Sequence, residues 1–300
     1  MTGSPAAPVA LDGSHVLAVP RGTPVLEYAR AWFPAAAWSR EPATAAQAAT
    51  AARPTGARFR GIALAAPDPA GVLSLDGVAE VVGPHPVEAA EARALGLPAR
   101  PSDLYGLPTG PVAGATVGPD LVAGWATAVA RRAGGGILPA ARDRAVVPDP
   151  AAAVDLTLWS AVPLSPDDAL PLVRPSLSGS RLTLDAPPGG AIGFIVTASY
   201  EYDGAVEVRC GRSREVPAVL STLDWREHGP WSYRVTWRPP DPMELEVPHP
   251  SQLHVIARQR VAPGIARVVA ALWRAVGGTV VDAGGFLVPH AEVEERARPR

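Results

Sequence analysis

The sequence predicts an α+β protein of two tandem, duplicated halves, each a mostly antiparallel sheet with helices on one face and ferredoxin-like in outline. Three observations carry this. Of the 300 residues, 47% are apolar, enough for two ordinary cores. Helix punctuation recurs at a nearly constant interval: Pro24 and Pro166 lie 142 residues apart, and Pro119 and Pro263 lie 144 apart. Between these landmarks each half carries an Asp-Gly turn flanked by apolar alternation, the pattern of a hairpin.

The first half, residues 13–150, opens with an apolar strand from His15 to Val19. Thr23 then reads as a helix cap, with Pro24 at the first helical position and Pro34 as the stop. Val72 to Leu75 and Val78 to Val82 form a hairpin about Asp76-Gly77. A helix from Pro119 to Ala133 runs into Gly134-Gly135 and a closing strand at Ile137-Leu138.

The second half, residues 153–290, repeats the order. Asp155 to Val162 is the opening strand, Ser165 caps a helix with Asp168 three residues on, and Pro175 stops it. Gly193 to Tyr202 and Ala205 to Cys210 flank Asp203-Gly204, and Trp231, Tyr233, Val235 and Trp237 alternate with polar residues. Gln252 to Arg258 reads as a strand, and a helix starts at Pro263. Ile265, Val268, Val269, Leu272, Trp273 and Val276 on that helix give an apolar stripe ending at Gly277-Gly278. Thr279 to Val281 then closes in a hairpin with Phe286 to Val288. The termini 1–12 and 291–300, and the Ala/Pro/Thr tract from Ala35 to Arg58, read as flexible.

Composition excludes several chemistries. The formal net charge is −2, so no long-range positive field draws nucleic acid or anionic lipid, and neither nucleic acid nor membrane is expected as a partner. The chain has no lysine, hence no Schiff-base or Walker-type site, and no asparagine for a kinase-type loop. One cysteine, Cys210, permits neither an intrachain disulfide nor a multi-cysteine metal cage. Met1 to Ser14 offers no basic residue and no apolar run. These features point to a cytoplasmic protein, with no cofactor and no metal expected.

Candidate sites are sparse. Asp224, Glu227 and His228, within Asp-Trp-Arg-Glu-His, supply an acid, a base and a titratable ring; a solvated loop before Gly229-Pro230 has the same composition. Arg209, Arg212 and Arg214, with Trp225, could grip an anionic ligand, or merely line a solvated turn. The arginines also surround Cys210, whose strand position reads as buried and inert. Gly110, Gly114 and Gly118 precede a helix start, but without dinucleotide-binding spacing. His85, His249 and His290 lack metal-ligand spacing, and Trp225, Trp231 and Trp237 suit either a binding face or a core.

The resulting expectation is a non-catalytic binding or scaffold protein whose partner is another protein or a small molecule. The alternative is an acid–base or hydrolytic enzyme using Asp224, Glu227 and His228.

Overall fold

The computed structural model describes residues 9–43, 70–77, 79–108, 119–185, 193–245, 247 and 249–298. The chain divides into two compact units, Met1–Pro150 and Ala151–Arg300. In the first unit the elements run β1 (His15–Pro20), α1 (Val25–Arg30), β2 (Ala37–Arg40), β3 (Gly71–Leu75), β4 (Ala79–Val87), α2 (Ala89–Ala94), β5 (Ser102–Leu107), α3 (Pro119–Ala133) and β6 (Gly136–Leu138). In the second they run β7 (Leu156–Ser160), α4 (Pro166–Val173), β8 (Arg181–Asp185), β9 (Gly193–Tyr200), β10 (Gly204–Arg212), α5 (Trp225–His228), β11 (Trp231–Arg238), α6 (Gln252–Val276), β12 (Thr279–Asp282) and α7 (His290–Arg296).

Each unit holds a six-stranded sheet, ordered β2-β3-β4-β5-β1-β6 in the first and β8-β9-β10-β11-β7-β12 in the second, with neighbours antiparallel throughout. Strand by strand, the two orders are the same. Four strands separate the opening and closing helices, where a ferredoxin-like β-α-β-β-α-β unit has two, so each sheet is a widened version of that plan. The first hairpin turn falls at Asp76-Gly77; the second lies at residues 201–203, with Gly204 already paired to Tyr200 as the first residue of β10. Asp76 and Gly77 both take positive φ (50° and 70°) in the three-residue loop between the paired Leu75 and Ala79, and Gly204 takes φ 78°.

In the second unit α4 and α6 pack together, and both lie on strands of the sheet, α6 on β7, β10 and β11. Ile265, Val268, Val269 and Leu272 are fully buried against Leu158, Val208, Tyr233 and Val235, as the stripe predicts. Trp273 is half-buried at the edge, its ring 5.1 Å from that of His290. In the first unit α1 and α3 pack together, and Trp125 of α3 is fully buried, its indole N–H donating to the Tyr28 carbonyl (3.1 Å). Helices are not confined to one face there: Ala92 of α2 and Leu97 join a second core with Val16, Ala18 and Leu104.

Both closing helices end on a paired glycine. Gly134 and Gly277 cap them at φ 69° and 65°, a region open to glycine at little cost. A Cβ on the next glycine would lie 2.0 Å from a carbonyl oxygen, that of Ala18 for Gly135 and of Trp159 for Gly278. The same contact therefore joins closing helix to opening strand in each unit.

Several expectations are corrected. Gln252 to Arg258 is not a strand but the first half of α6: Ser251 caps it, accepting from the His254 N–H at 3.3 Å, and His254, Ala257, Arg258 and Val261 are buried at helical spacing. Pro263 lies inside this helix, where the 25-residue element tolerates the one backbone hydrogen bond it removes. Thr23 does not cap α1, because its hydroxyl donates to the Pro20 carbonyl (2.6 Å). Ser165 does cap α4. The tract read as flexible contains β2, paired to β3; its residues 44–58 lie outside the described residues. Likewise 291–296 belong to α7, whose Val293 is fully buried, and Leu11 is buried in a single turn at Val9–Leu11. Among the described residues, no helix is long and apolar enough to cross a membrane.

Because Leu272 is fully buried and Arg267 exposed, Leu272→Ala is expected to cost about 2–5 kcal/mol and Arg267→Ala less than about 0.5 kcal/mol, read from denaturant unfolding.

Candidate functional site

Of the acid–base candidates, Asp224 and His228 are engaged in local structure. Asp224 is the N-cap of α5, accepting from the Arg226 backbone N–H at 2.9 Å, with its carboxylate 3.6 Å from the Arg226 guanidinium. Glu227 is exposed and engaged through its carbonyl, which accepts from the Thr279 hydroxyl (3.0 Å). His228 is buried, its Nδ1 3.3 Å from the Gly229 carbonyl oxygen. Trp225 is 60% exposed, with the Arg226 guanidinium 5.8 Å from its ring centre. Asp224, Glu227 and His228 stand at i, i+3 and i+4, on one side of this single turn, but Asp224 is engaged in capping and His228 lies against its own backbone.

The arginines near Cys210 differ in their surroundings. Arg209 pairs with the buried Glu207 carboxylate at 3.3 Å, and Arg238 reaches the same carboxylate at 2.8 Å; Arg212 and Arg214 are exposed. Cys210 lies on the opposite face of β10, 2% exposed and opposite Tyr233. Burial pushes its thiol up to about 11, against a smaller opposing effect of the Tyr233 hydrogen bond. Labelling of native Cys210 by a thiol reagent at pH 7–8 is therefore expected to be far slower than labelling of the unfolded chain.

Trp231 is half-buried and Trp237 buried, its indole N–H donating to the Asp203 carbonyl (2.7 Å), so these rings and exposed Trp225 do not form one binding face. His290 lies 3.6 Å from Glu294, while His85 is half-buried and His249 exposed. Among the described residues, no group of three or more His, Cys, Asp or Glu is placed to hold a metal ion. Gly110, Gly114 and Gly118 lie outside the described residues.

Two features were missed because the start of α6 was read as a strand. The first is a titratable cluster. His254, nearly buried, has its ring 4.8 Å from that of Trp237, with Arg258 one turn along and Glu244 and Asp241 on the preceding loop. Burial, helped by Arg258, lowers the His254 pKa below its ordinary 6.5, and the two carboxylates only partly oppose this. The fold thus favours the neutral ring. Its contribution to stability is complete above pH 6.5 and is lost as pH falls and the unfolded chain takes the proton first. Thermal unfolding of the second unit is expected at lower temperature at pH 5 than at pH 7, with the difference reduced in His254→Phe.

The second feature is a groove along α6. Arg260, Arg267 and Arg274 stand at seven-residue intervals, all exposed. They line two adjoining depressions of 590 and 200 Å³, which share Ser176 and Arg267. The larger lies between α4 and α7, with Leu172, Ala270, Ala271 and Ala297 as its apolar lining; the smaller includes Tyr200 and Val261. Arg260 lies 3.4 Å from Asp203, Arg267 donates to the Ala297 carbonyl (3.2 Å), and Arg274 lies 2.7 Å from Glu294. With Arg298 at the rim, four guanidiniums meet two carboxylates. Such a surface can hold carboxylates by forked hydrogen bonds over an apolar floor.

Compared with protein families, with curated proteins and with solved structures, the chain matches none.

Proposed function

We propose that this chain is a non-catalytic binding protein and that the arginine-lined groove of its second unit receives an anionic partner. The observation that carries the reading is the row of three exposed guanidiniums above an apolar floor. The engagement of Asp224 as a helix cap and the burial of His228 speak against the hydrolytic alternative, since general acid–base work requires groups free to reach one substrate. The net charge of −2 argues against nucleic acid as the partner. A reducing, cytoplasmic setting is in keeping with a single cysteine held as a buried thiol. Duplication of an ancestral unit is part of the same proposal. It is supported by the shared strand order and by the contacts of Gly135 and Gly278, 143 residues apart.

Poly-L-glutamate provides the test. At hundredfold excess over its dissociation constant it is expected to raise the unfolding temperature of the second unit by roughly 5–10 °C. Joint reversal of Arg267→Glu and Arg274→Glu is expected to abolish that rise. No rise, or an equal rise in the reversed protein, would reject the groove as the binding face.

A further inference from the structure

We propose that the groove holds an acidic polypeptide segment in the polyproline II conformation, with a carboxylate at every third residue. This rests on the binding role above and goes beyond it by fixing the partner's chemistry and spacing. Seven residues of helix rise about 10.5 Å and fall only about 20° short of two full turns. Arg260, Arg267 and Arg274 consequently form a single row roughly 21 Å long.

A ligand that pairs with the whole row must return an acid to one side at nearly that interval. A β-strand turns successive side chains to opposite faces, so acids on one side recur at about 7 or 13 Å, and neither matches. Polyproline II has three residues per turn and rises about 3.1 Å per residue, so every third side chain returns to the same side about 9 Å along. Over two intervals the mismatch is about 2 Å, which long arginine side chains can absorb. An α-helix with an acid every seven residues also matches the interval, and the helical peptide among the probes separates it from polyproline II.

The lining agrees with this occupant. Pro171, Leu172 and Pro175 present apolar, rigid surface along one wall, suited to packing against pyrrolidine rings. Asp203 and Glu294 stand within the row, beside Arg260 and Arg274, and would repel a continuous line of phosphates more than acids set three residues apart. The side chains of Arg260 and Arg274 are 63% and 62% exposed, so each can turn from its present carboxylate to a ligand's at little cost.

The test is calorimetric titration of the full chain at low salt with a nonapeptide of three Glu-Pro-Pro repeats. Its comparators are an isomer with the three glutamates contiguous, an alanine-based helical peptide with glutamate every seven residues, and a thymidine heptanucleotide. The repeat peptide is expected to bind about tenfold or more tightly than the isomer, and to weaken as salt is raised. Arg267→Glu and, separately, Arg260→Glu are each expected to weaken it about tenfold, whereas Arg226→Glu, outside the groove, leaves it unchanged. If poly-L-glutamate binds the groove but the repeat and contiguous peptides bind alike, or the helical or nucleotide probe binds better, the spacing inference is overturned while the binding role stands. If poly-L-glutamate and every peptide leave the groove empty, both fall.

Discussion

The architecture of each unit depends on one close approach, that of the glycine after the closing helix to a carbonyl of the opening strand. Gly135 and Gly278 occupy space that any other residue would fill with a Cβ 2.0 Å from oxygen. β1 and β7 each lie between two neighbours in their sheets, so this contact anchors the helix to a strand that cannot shift sideways. A side chain then secures the helix end: the Ser160 hydroxyl donates to the Val276 carbonyl (2.9 Å), and in the first unit the Arg100 guanidinium donates to Gly134. With its end and azimuth fixed, α6 has to turn Ile265, Val268, Val269 and Leu272 toward the sheet, and its arginine row away from it.

Charge is used in two separate ways in the second unit. Buried or nearly buried carboxylates are tied to structure: Glu207 between Arg209 and Arg238, and Asp282 accepting from the N–H groups of Gly284 (2.9 Å) and Phe286 (3.0 Å) in the closing turn. Losing these contacts would leave a nearly buried carboxylate without its partners. The groove pairs are exposed and worth about 0–1 kcal/mol each. They can exchange partners without threatening the fold, the property required of a binding surface.

Much of the fold was legible where local chemistry and tertiary packing agree. The Asp-Gly hairpins, the alternation from Trp231 to Trp237, the stripe from Ile265 to Val276 and the bounds of α3 follow from positive-φ demand, period and capping. β5 was not legible because Ser102, Asp103 and Gly106 interrupt its apolar run, yet all six of its residues are buried. Reading Pro263 as a helix start hid the first three turns of α6. That error carried into the site, since Arg260 belongs to the same row as Arg267 and Arg274 only if one helix contains all three. The walls of the groove come from residues about 90 positions before the row and 20 after it, a juxtaposition that no local pattern encodes.

Those walls have a character of their own. α4 and α7 have eight and seven residues, below the length at which an isolated helix persists in water, so each is helical because it docks on α6. Val173 and Val293 provide the buried anchors, and Arg274 with Glu294 a surface tether. The floor of the groove therefore belongs to the most slowly exchanging part of the unit, while its sides belong to segments that can open without unfolding the sheet. Amide hydrogens of α4 and α7 would exchange by this local opening, and an occupant spanning both walls would act as a splint, closing off the motion that its own arrival requires.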